Sequence, residues 1–159
     1  IREYLKLSGD GASSYRILEA LRIVGLESPI AQLEDGLDTR IASTGWPLTI
    51  TETMQLKLAA ALIAKPRVLV LGLLFDTMPD DFLERSMDYL QESGQTTIIY
   101  FSGRLRNLGF DTYLYLGYSD QHLFATYDEL CEHAEAHLCA AEPMPSSNVQ
   151  NGPKLNPSM

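Results

Sequence analysis

The stretch GWPLTITETMQLKLAAALIAKPRVLVLGL, residues 45 to 73, decides the fold. Thr49 and Glu52 have the spacing of a capping box, in which the Thr side chain binds a first-turn amide and the Glu reaches back to the cap. A helix is therefore predicted to begin near Ile50, and Pro66 should end it. Apolar residues recur along it at steps of three and four, which predicts one apolar face made of Met54, Leu58, Ala61 and Leu62.

The four residues from 68 to 71 are all apolar. A short run of this kind, directly after a helix and a tight turn, predicts a parallel strand that is covered on both faces. The stretch thus indicates an α/β protein in which a helix leads through a turn into a buried strand.

Composition limits the possible classes of protein. The chain has 159 residues, 45% of them hydrophobic, which is enough for one ordinary core. A formal charge of −9 argues against nucleic acid or anionic lipid as the main partner. No apolar run approaches the ~18 residues of a membrane-spanning helix, and the start does not resemble a signal peptide. Cys131 and Cys139 are expected to be reduced thiols in a cytosolic setting, and a first residue Ile1 indicates an excised or processed chain.

Periodicity and turn residues predict the remaining elements. A helical turn over 1–7 precedes a helix over 15–24 that Ser13 or Ser14 caps, with one apolar face made of Ile17, Leu18, Leu21 and Val24. Residues 29–48 are predicted to be rich in loops. The later predictions are a turn at 76–80, a helix over 81–92, a strand over 96–101, a hairpin of 112–116 with 122–125, and a last helix ending near 138.

Four further segments resemble motifs of ABC-transporter ATPases of the exporter type, in the order in which that family has them. IREYL at 1–5 resembles the segment after the Q-loop, and GLDTRI at 36–41 resembles the one before the signature. TTIIYFSGRL at 96–105 resembles the strand with the switch motif, and TYDEL at 126–130 a terminal motif. The opening run has the frame of the signature helix and Walker B strand.

The resemblance implies the C-terminal portion of an ABC-type nucleotide-binding domain, a partial P-loop NTPase fold whose phosphate-loop strand is missing. A helical subdomain would occupy about 1–65, and the Walker B and switch part of a mostly parallel sheet would occupy 66–138. Residues 139–159, rich in Pro, Ser and Asn, are expected to form a disordered tail.

This sequence departs from the family at the positions whose side chains take part in ATP hydrolysis. In the family, a Walker B Asp holds Mg²⁺ and the Glu after it polarises the attacking water; these two positions align with Gly72 and Leu73. The family's switch His aligns with Gly103. None of these three side chains can hold a metal or a proton. The signature aligns with Leu48, Thr49, Ile50, Thr51 and Glu52, and the D-loop with Asp76, Thr77, Met78 and Pro79. A carboxylate at Glu52 would repel phosphate, although a capping role is favoured.

The phosphate loop Gly-x-x-x-x-Gly-Lys-(Ser/Thr) does not occur in the sequence. We therefore expect no cofactor for this chain, with ATP and Mg²⁺ possible only in an intact parent protein. The family's phosphate-loop strand lies beside the switch strand, so its loss leaves a gap next to residues 96–101. An open apolar strand invites association, and we predict either re-pairing with the 112–125 hairpin or self-association of the chain.

Two other clusters could bind a metal. Asp76, Asp80 and Asp81 could hold a divalent ion, although turn and capping roles are favoured beside Pro79. The second cluster consists of His133 and His137, which are four positions apart, with Glu132 or Cys131 nearby. Solvated surface histidines are the favoured interpretation, and no metal is predicted.

Five further side chains receive structural predictions. Trp46 should pack under the signature loop, and Tyr100 and Phe101 should be core residues of their strand. Arg104 and Arg106 are expected to be solvated charges at the strand end.

Three classes of function follow. The favoured one is a non-catalytic interaction or regulatory module, paired with a transporter membrane subunit or a second nucleotide-binding domain at the cytoplasmic face of a membrane. The alternative is an ATP-binding subunit completed by upstream residues and an intact partner domain. An unrelated metal-dependent enzyme, using the Asp76 cluster or the histidines, is the third.

Overall fold

The computed structural model describes residues 1–9, 12–92, 94–117 and 120–140. From residue 141 onward, the predicted tail lies outside the described residues. The chain divides into two compact units, 1–108 and 109–159, while the subdomain boundary predicted near residue 65 stays a prediction.

The helices are α1 (Arg2–Leu7), α2 (Ser14–Ile23), α3 (Glu27–Ala31), α4 (Ile50–Ala64), α5 (Asp80–Glu92) and α6 (Tyr127–Ala140). The strands are β1 (Val68–Leu71), β2 (Thr97–Tyr100), β3 (Tyr113–Leu116) and β4 (Gln121–Phe124), and 3-10 turns occupy Gly36–Asp38 and Leu73–Thr77.

Helix α4 is the central helix of the first unit. The predicted capping box is confirmed: the Glu52 amide donates to Thr49 Oγ1 at 3.2 Å, and the Thr49 amide donates to Glu52 Oε2 at 2.8 Å. The single apolar face predicted for α4 is wrong, because α1, α2, α5 and the 3-10 turn after β1 all contact this helix. Positions around its circumference are therefore buried, namely Gln55, Leu56, Ala59, Ala60 and Ile63 in addition to Met54, Leu58 and Leu62.

Helix α2 begins where the sequence predicts, since Ser13 Oγ accepts from the Arg16 amide at 3.3 Å. Three of its four predicted core residues are buried, but Leu18 is 48% exposed and that part of the prediction is wrong. The helix α3 was not predicted, because residues from 29 onward were interpreted as loop. Its Pro29 lies in the first turn, where a missing amide hydrogen costs little.

Strands β1 and β2 are parallel, with Val68 opposite Thr97 and Leu71 opposite Tyr100. Leu71 is buried, whereas Val68 and Val70 are each 57% exposed. Ile99, opposite Val70, is exposed on the same face. The prediction of a strand covered on both faces is therefore wrong, because apolar composition indicates what a strand could bury and not what covers it.

Strand β2 pairs with β1 alone among the described residues, and β3 pairs antiparallel with β4 in the predicted hairpin. The predicted re-pairing of β2 with the hairpin is thus wrong, and self-association stays a prediction. Phe101 follows β2 and is 50% exposed, so its predicted core position is wrong too. Among the described residues, no helix combines the length and the apolar character that crossing a membrane requires.

The end of α2 yields a test of the packing. Gly25 has φ +79°, and a Cβ added there would lie 2.4 Å from the Phe82 ring of α5, whereas Gly94 has φ +59° and open space around it. We expect Gly25→Ala to lower the free energy of unfolding by about 2 to 4 kcal/mol, from backbone strain plus overpacking. Gly94→Ala, the control, should cost about 1 kcal/mol from backbone strain alone. Urea denaturation measures both, and equal losses would contradict this packing.

Candidate functional site at the carboxyl edge of the parallel sheet

Strands β1 and β2 end at the same edge of their sheet, where the Walker B and switch positions of the resemblance lie. A Cβ added to Gly72 would meet nothing within 4 Å, and Leu73 projects an exposed apolar side chain. A Cβ on Gly103 would contact Asp76 Oδ2 at 3.7 Å. These three positions supply no metal ligand and no proton-transfer group to the edge.

Asp76 occupies this edge instead. Its Oδ1 accepts hydrogen bonds from the Tyr100 hydroxyl at 2.5 Å and the Ser102 hydroxyl at 2.8 Å, and its Oδ2 accepts from the Gly103 amide at 2.8 Å. Although burial alone would raise it, these hydrogen bonds hold the pKa of the Asp76 carboxyl below its ordinary value. Burial and the bond to Asp76 raise the pKa of the Tyr100 phenol well above its usual range.

Two arginines bind the main chain at the same residue. The Asp76 carbonyl accepts from Arg106 Nη2 at 2.9 Å and from Arg104 Nη1 at 3.3 Å. Arg106 also forms an ion pair with Asp80 at 3.0 Å, and its side chain is only 6% exposed. The prediction of a solvated charge is therefore wrong for Arg106. We call Asp76, Tyr100, Ser102, Gly103 and Arg106 the Asp76 clamp, because they join the loops that follow β1 and β2.

The hydrogen bonds of the clamp argue against the alternative in which Asp76, Asp80 and Asp81 hold a divalent ion. Both Asp76 oxygens already accept from protein donors, and Asp80 and Asp81 pair with different cations, Arg106 and Arg85. A hard divalent ion requires several convergent oxygens, which these three carboxylates do not offer together. At the other D-loop-like positions, Met78 is buried in the core and the Thr77 hydroxyl donates to the Leu74 carbonyl at 2.8 Å.

The signature positions lie at the start of α4. Leu48 is buried, Ile50 is exposed, and the Thr51 hydroxyl donates to the Thr77 carbonyl at 3.4 Å. Glu52 Oε2 accepts from both the amide and the hydroxyl of Thr49, at 2.8 and 2.9 Å. The helix's own carboxylate thus occupies the end at which a helix dipole attracts anions.

Trp46, predicted to pack under this loop, is 72% exposed, so that prediction is wrong. Sequence reasoning also missed the clamp's hydrogen bonds. A signal existed, since Asp76 follows one strand and Ser102 and Gly103 follow the next, and parallel strands bring such positions together at one edge. The sequence does not show that Tyr100 and Arg106 converge on the same residue.

The histidine prediction has a different outcome in the second unit. His133 is not a solvated surface residue: its side chain is 21% exposed and lies beside Asp120 and His122. The side chains of His137 and Cys139 lie outside the described residues. Cys131 is a free thiol, and its hydrogen bond raises the pKa of Tyr127 to about 12.

The fold is that of part of an ABC exporter. Over 91% of this chain and 26% of the other, the structure matches that of a bacterial Atm1-family ABC exporter solved with ATP bound, with a TM-score of 0.68 and 20% identity. This likeness supports a partial P-loop NTPase fold.

Sequence relatives point to the same class. The chain is 31% identical over 102 residues to the cyclolysin secretion/processing ATP-binding protein CyaB of Bordetella pertussis, covering 62% of this chain and 14% of that protein. It is 28% identical over 111 residues to the ABC-type transporter kk1G of Curvularia clavata, covering 68% of this chain and 8% of that protein. It is 32% identical over 71 residues to the putative export ATP-binding/permease protein RP696 of Rickettsia prowazekii, covering 45% of this chain and 12% of that protein.

No protein-family model matches the chain. The relatives nonetheless confirm the predicted resemblance: over about 60% of its length, the chain is homologous to ABC exporter ATP-binding proteins. It spans less than a fifth of the length of each of these three relatives.

The clamp predicts a pH dependence of stability. Because the folded pKa of Asp76 is depressed, its stabilisation is fully present above the unfolded value near 3.9 and is lost as pH falls through the folded pKa. We expect Asp76→Asn to cost about 1 to 2 kcal/mol at neutral pH and to make the loss of stability below about pH 4 shallower. Urea denaturation from neutral pH to pH 2.5 measures this.

Asp88→Asn is the matched control, since Asp88 is an exposed carboxylate on α5. It should leave both the stability and the acid profile of the parent unchanged. An Asp76→Asn profile that runs parallel to the parent's at every pH would contradict the role given to this carboxylate.

Proposed function

We propose that this chain is an interaction module, the non-catalytic latter part of an ABC-type nucleotide-binding domain that acts through contact with a transporter. One observation carries the proposal: the edge where the aligned catalytic groups would lie is closed by the Asp76 clamp. Its carboxylate is engaged by Tyr100, Ser102 and Gly103. Through this contact with a transporter, the chain would couple to membrane transport at the cytoplasmic face of a membrane.

The start of α4 supports the same interpretation. In an ATP-binding signature, free amides at a helix start approach a phosphate. Here the Glu52 amide is bound by the Thr49 hydroxyl, and the Glu52 carboxylate adds a negative charge nearby. A triphosphate would have to displace the cap and would meet that charge, so the chain should not bind ATP by itself.

An exposed apolar surface supports contact as the function. Val68, Val70 and Ile99 lie on one face of the parallel sheet, and Leu73 and Phe101 are exposed near its carboxyl edge. We call these five residues the sheet patch. Apolar side chains grouped on a strand pair beside an open edge are typical of an interface, and we assign this surface to a second ABC-type domain, including a second copy of this chain.

A groove in the first unit suits a membrane subunit. It has a volume of about 1020 Å³ and runs between α1, the segment 37–45 and the start of α4. Its walls include the apolar residues Leu7, Ile41, Leu48 and Met54. A groove of this type accepts the apolar side of a short helix, which is the contact we propose for the transporter's membrane subunit.

The comparisons favour one alternative function. CyaB is named an ATP-binding protein, and the Atm1-family exporter was solved with ATP bound, while this chain spans 14% and 26% of those proteins. In the alternative, residues beyond this chain and an intact partner domain complete an ATP site. Gly72 and Leu73 would then make this chain's half of that site slow in hydrolysis.

Calorimetry with Mg-ATP tests the proposal. We expect no saturable binding to this chain up to about 1 mM nucleotide, because Glu52 and its cap occupy the helix start. The ATP-binding region of CyaB, measured under the same conditions, is the positive control. Binding of Mg-ATP to this chain in the micromolar range would overturn the proposal, whereas binding by the full-length parent alone would favour the alternative.

Sedimentation velocity tests the sheet patch. Val70→Lys with Ile99→Lys places two charges on it, and we expect the concentration-dependent increase in sedimentation coefficient of the parent chain to disappear, because burying unpaired charges is costly. Leu18→Lys, which charges an equally exposed apolar position on α2, is the control and should associate as the parent does. Association unaffected by the double substitution would exclude the sheet patch as the interface.

A further inference from the structure

Three potential metal ligands converge in the second unit. Asp120 lies just before β4, His122 lies within β4, and His133 lies in α6. One ligand atom of each lies within 4.8 Å of the others. Asp120 Oδ2 is 3.5 Å from His122 Nε2 and 3.8 Å from His133 Nε2. Residues from β4, from the position before it and from α6 thus direct two imidazoles and a carboxylate at one point.

We propose that Asp120, His122 and His133 form a binding site for a divalent transition metal ion of the zinc type. Two imidazole nitrogens and one carboxylate oxygen are a ligand set that Zn²⁺ accepts, with bonds of about 2.0 to 2.2 Å. Around a tetrahedral ion, such ligands stand about 3.3 Å apart. The two distances from Asp120 exceed this by a few tenths of an ångström, and the ligand atoms of the two histidines lie within 4.8 Å of each other, so binding would draw the three side chains together.

The ligand chemistry selects the type of ion. Imidazole suits zinc, copper and nickel, whereas Mg²⁺ and Ca²⁺ take oxygen ligands and bind poorly to a pair of imidazoles. Three protein ligands leave a fourth tetrahedral position for water or another donor. The site is partly open, since the side chains of His122 and Asp120 are 49% and 30% exposed.

The surroundings of His133 favour a fixed ligand. Its ring lies 4.9 Å from the Tyr115 ring and 5.2 Å from the Phe124 ring, measured between centroids, and 4.5 Å from that of His122. These aromatic contacts with β3 and β4 hold the imidazole in place before an ion arrives. Such preorganisation lowers the entropic cost of binding.

The second unit also has few other means of stabilisation. Among its described residues, Ala134 is the single buried apolar side chain. Small units with so little core commonly depend on metals or disulfides. Ligands from β4, from the residue before it and from α6 would let one ion join the hairpin to the helix, so binding should stabilise this unit.

Calorimetric titration of the full chain with ZnCl₂ near neutral pH tests the site, with CoCl₂ as a spectroscopic probe. We expect one ion per chain, a cobalt spectrum typical of tetrahedral nitrogen and oxygen ligands, and no binding of MgCl₂. His122→Asn and His133→Asn should each weaken zinc binding by at least about tenfold, since even the loss of a supporting group costs that much. Zinc should also slow proteolysis within α6 in the parent chain but not in His122→Asn.

His137→Asn is the matched control, since it replaces the third histidine of the sequence and should leave zinc affinity unchanged. Because His122 is half exposed, its variant should fold even if the His133 variant does not, as circular dichroism will show. Weak binding by His137→Asn with normal binding by His122→Asn would assign the ion to the helix pair His133 and His137 and overturn the proposal. Absence of one-to-one zinc binding, or a thiolate charge-transfer band with cobalt, would overturn it as well.

Discussion

Burial of α4 on nearly all sides is the constraint on which the first unit depends. The helix contacts α1, α2, α5 and the 3-10 turn after β1, and Leu58 and Leu62 within it are almost completely buried. Each such side chain contributes about 1.5 to 3 kcal/mol when removed from water. The N-terminus of α4 presents the signature positions, and its C-terminus leads through Lys65, in the left-handed conformation, toward β1. The same packing therefore fixes both places where an ATPase would have its chemistry.

At the carboxyl end of β1, groups of the protein itself compensate the charge of the Asp76 carboxylate. A carboxylate at a sheet edge needs compensating donors or cations, and Asp76 finds them in a phenol, a hydroxyl and an amide. The buried Arg106 adds a positive charge that is itself paired with Asp80. These bonds stabilise one arrangement of the two loops. The proposed contact function relies on this fixed arrangement.

The sequence predicts local structure well and tertiary contacts poorly. Ser13, Thr49 and Glu52 predict where two helices begin, because capping depends on residues three positions apart. The exposure of Trp46, Leu18 and Val70 could not be predicted, since it depends on which elements cover them and hydropathy alone does not specify that. His133 shows the same limit: spacing along α6 predicts His137 as its companion, and the structure also places His122 and Asp120 beside it. Ligands that converge across different elements leave no periodic signal in the sequence.

In the proposed function, the sheet patch supplies the contact surface, and the Asp76 clamp fixes the loops at the carboxyl edge of the same sheet. At Gly72, Leu73 and Gly103, the carboxylates and the histidine that the resemblance leads one to expect do not occur. Val68, Val70 and Ile99 place β-branched side chains on a face that water reaches. Apolar residues on a solvated strand pair promote association unless a partner covers them. Their presence beside loops fixed by hydrogen bonds is the physical basis on which we propose that this surface binds a partner.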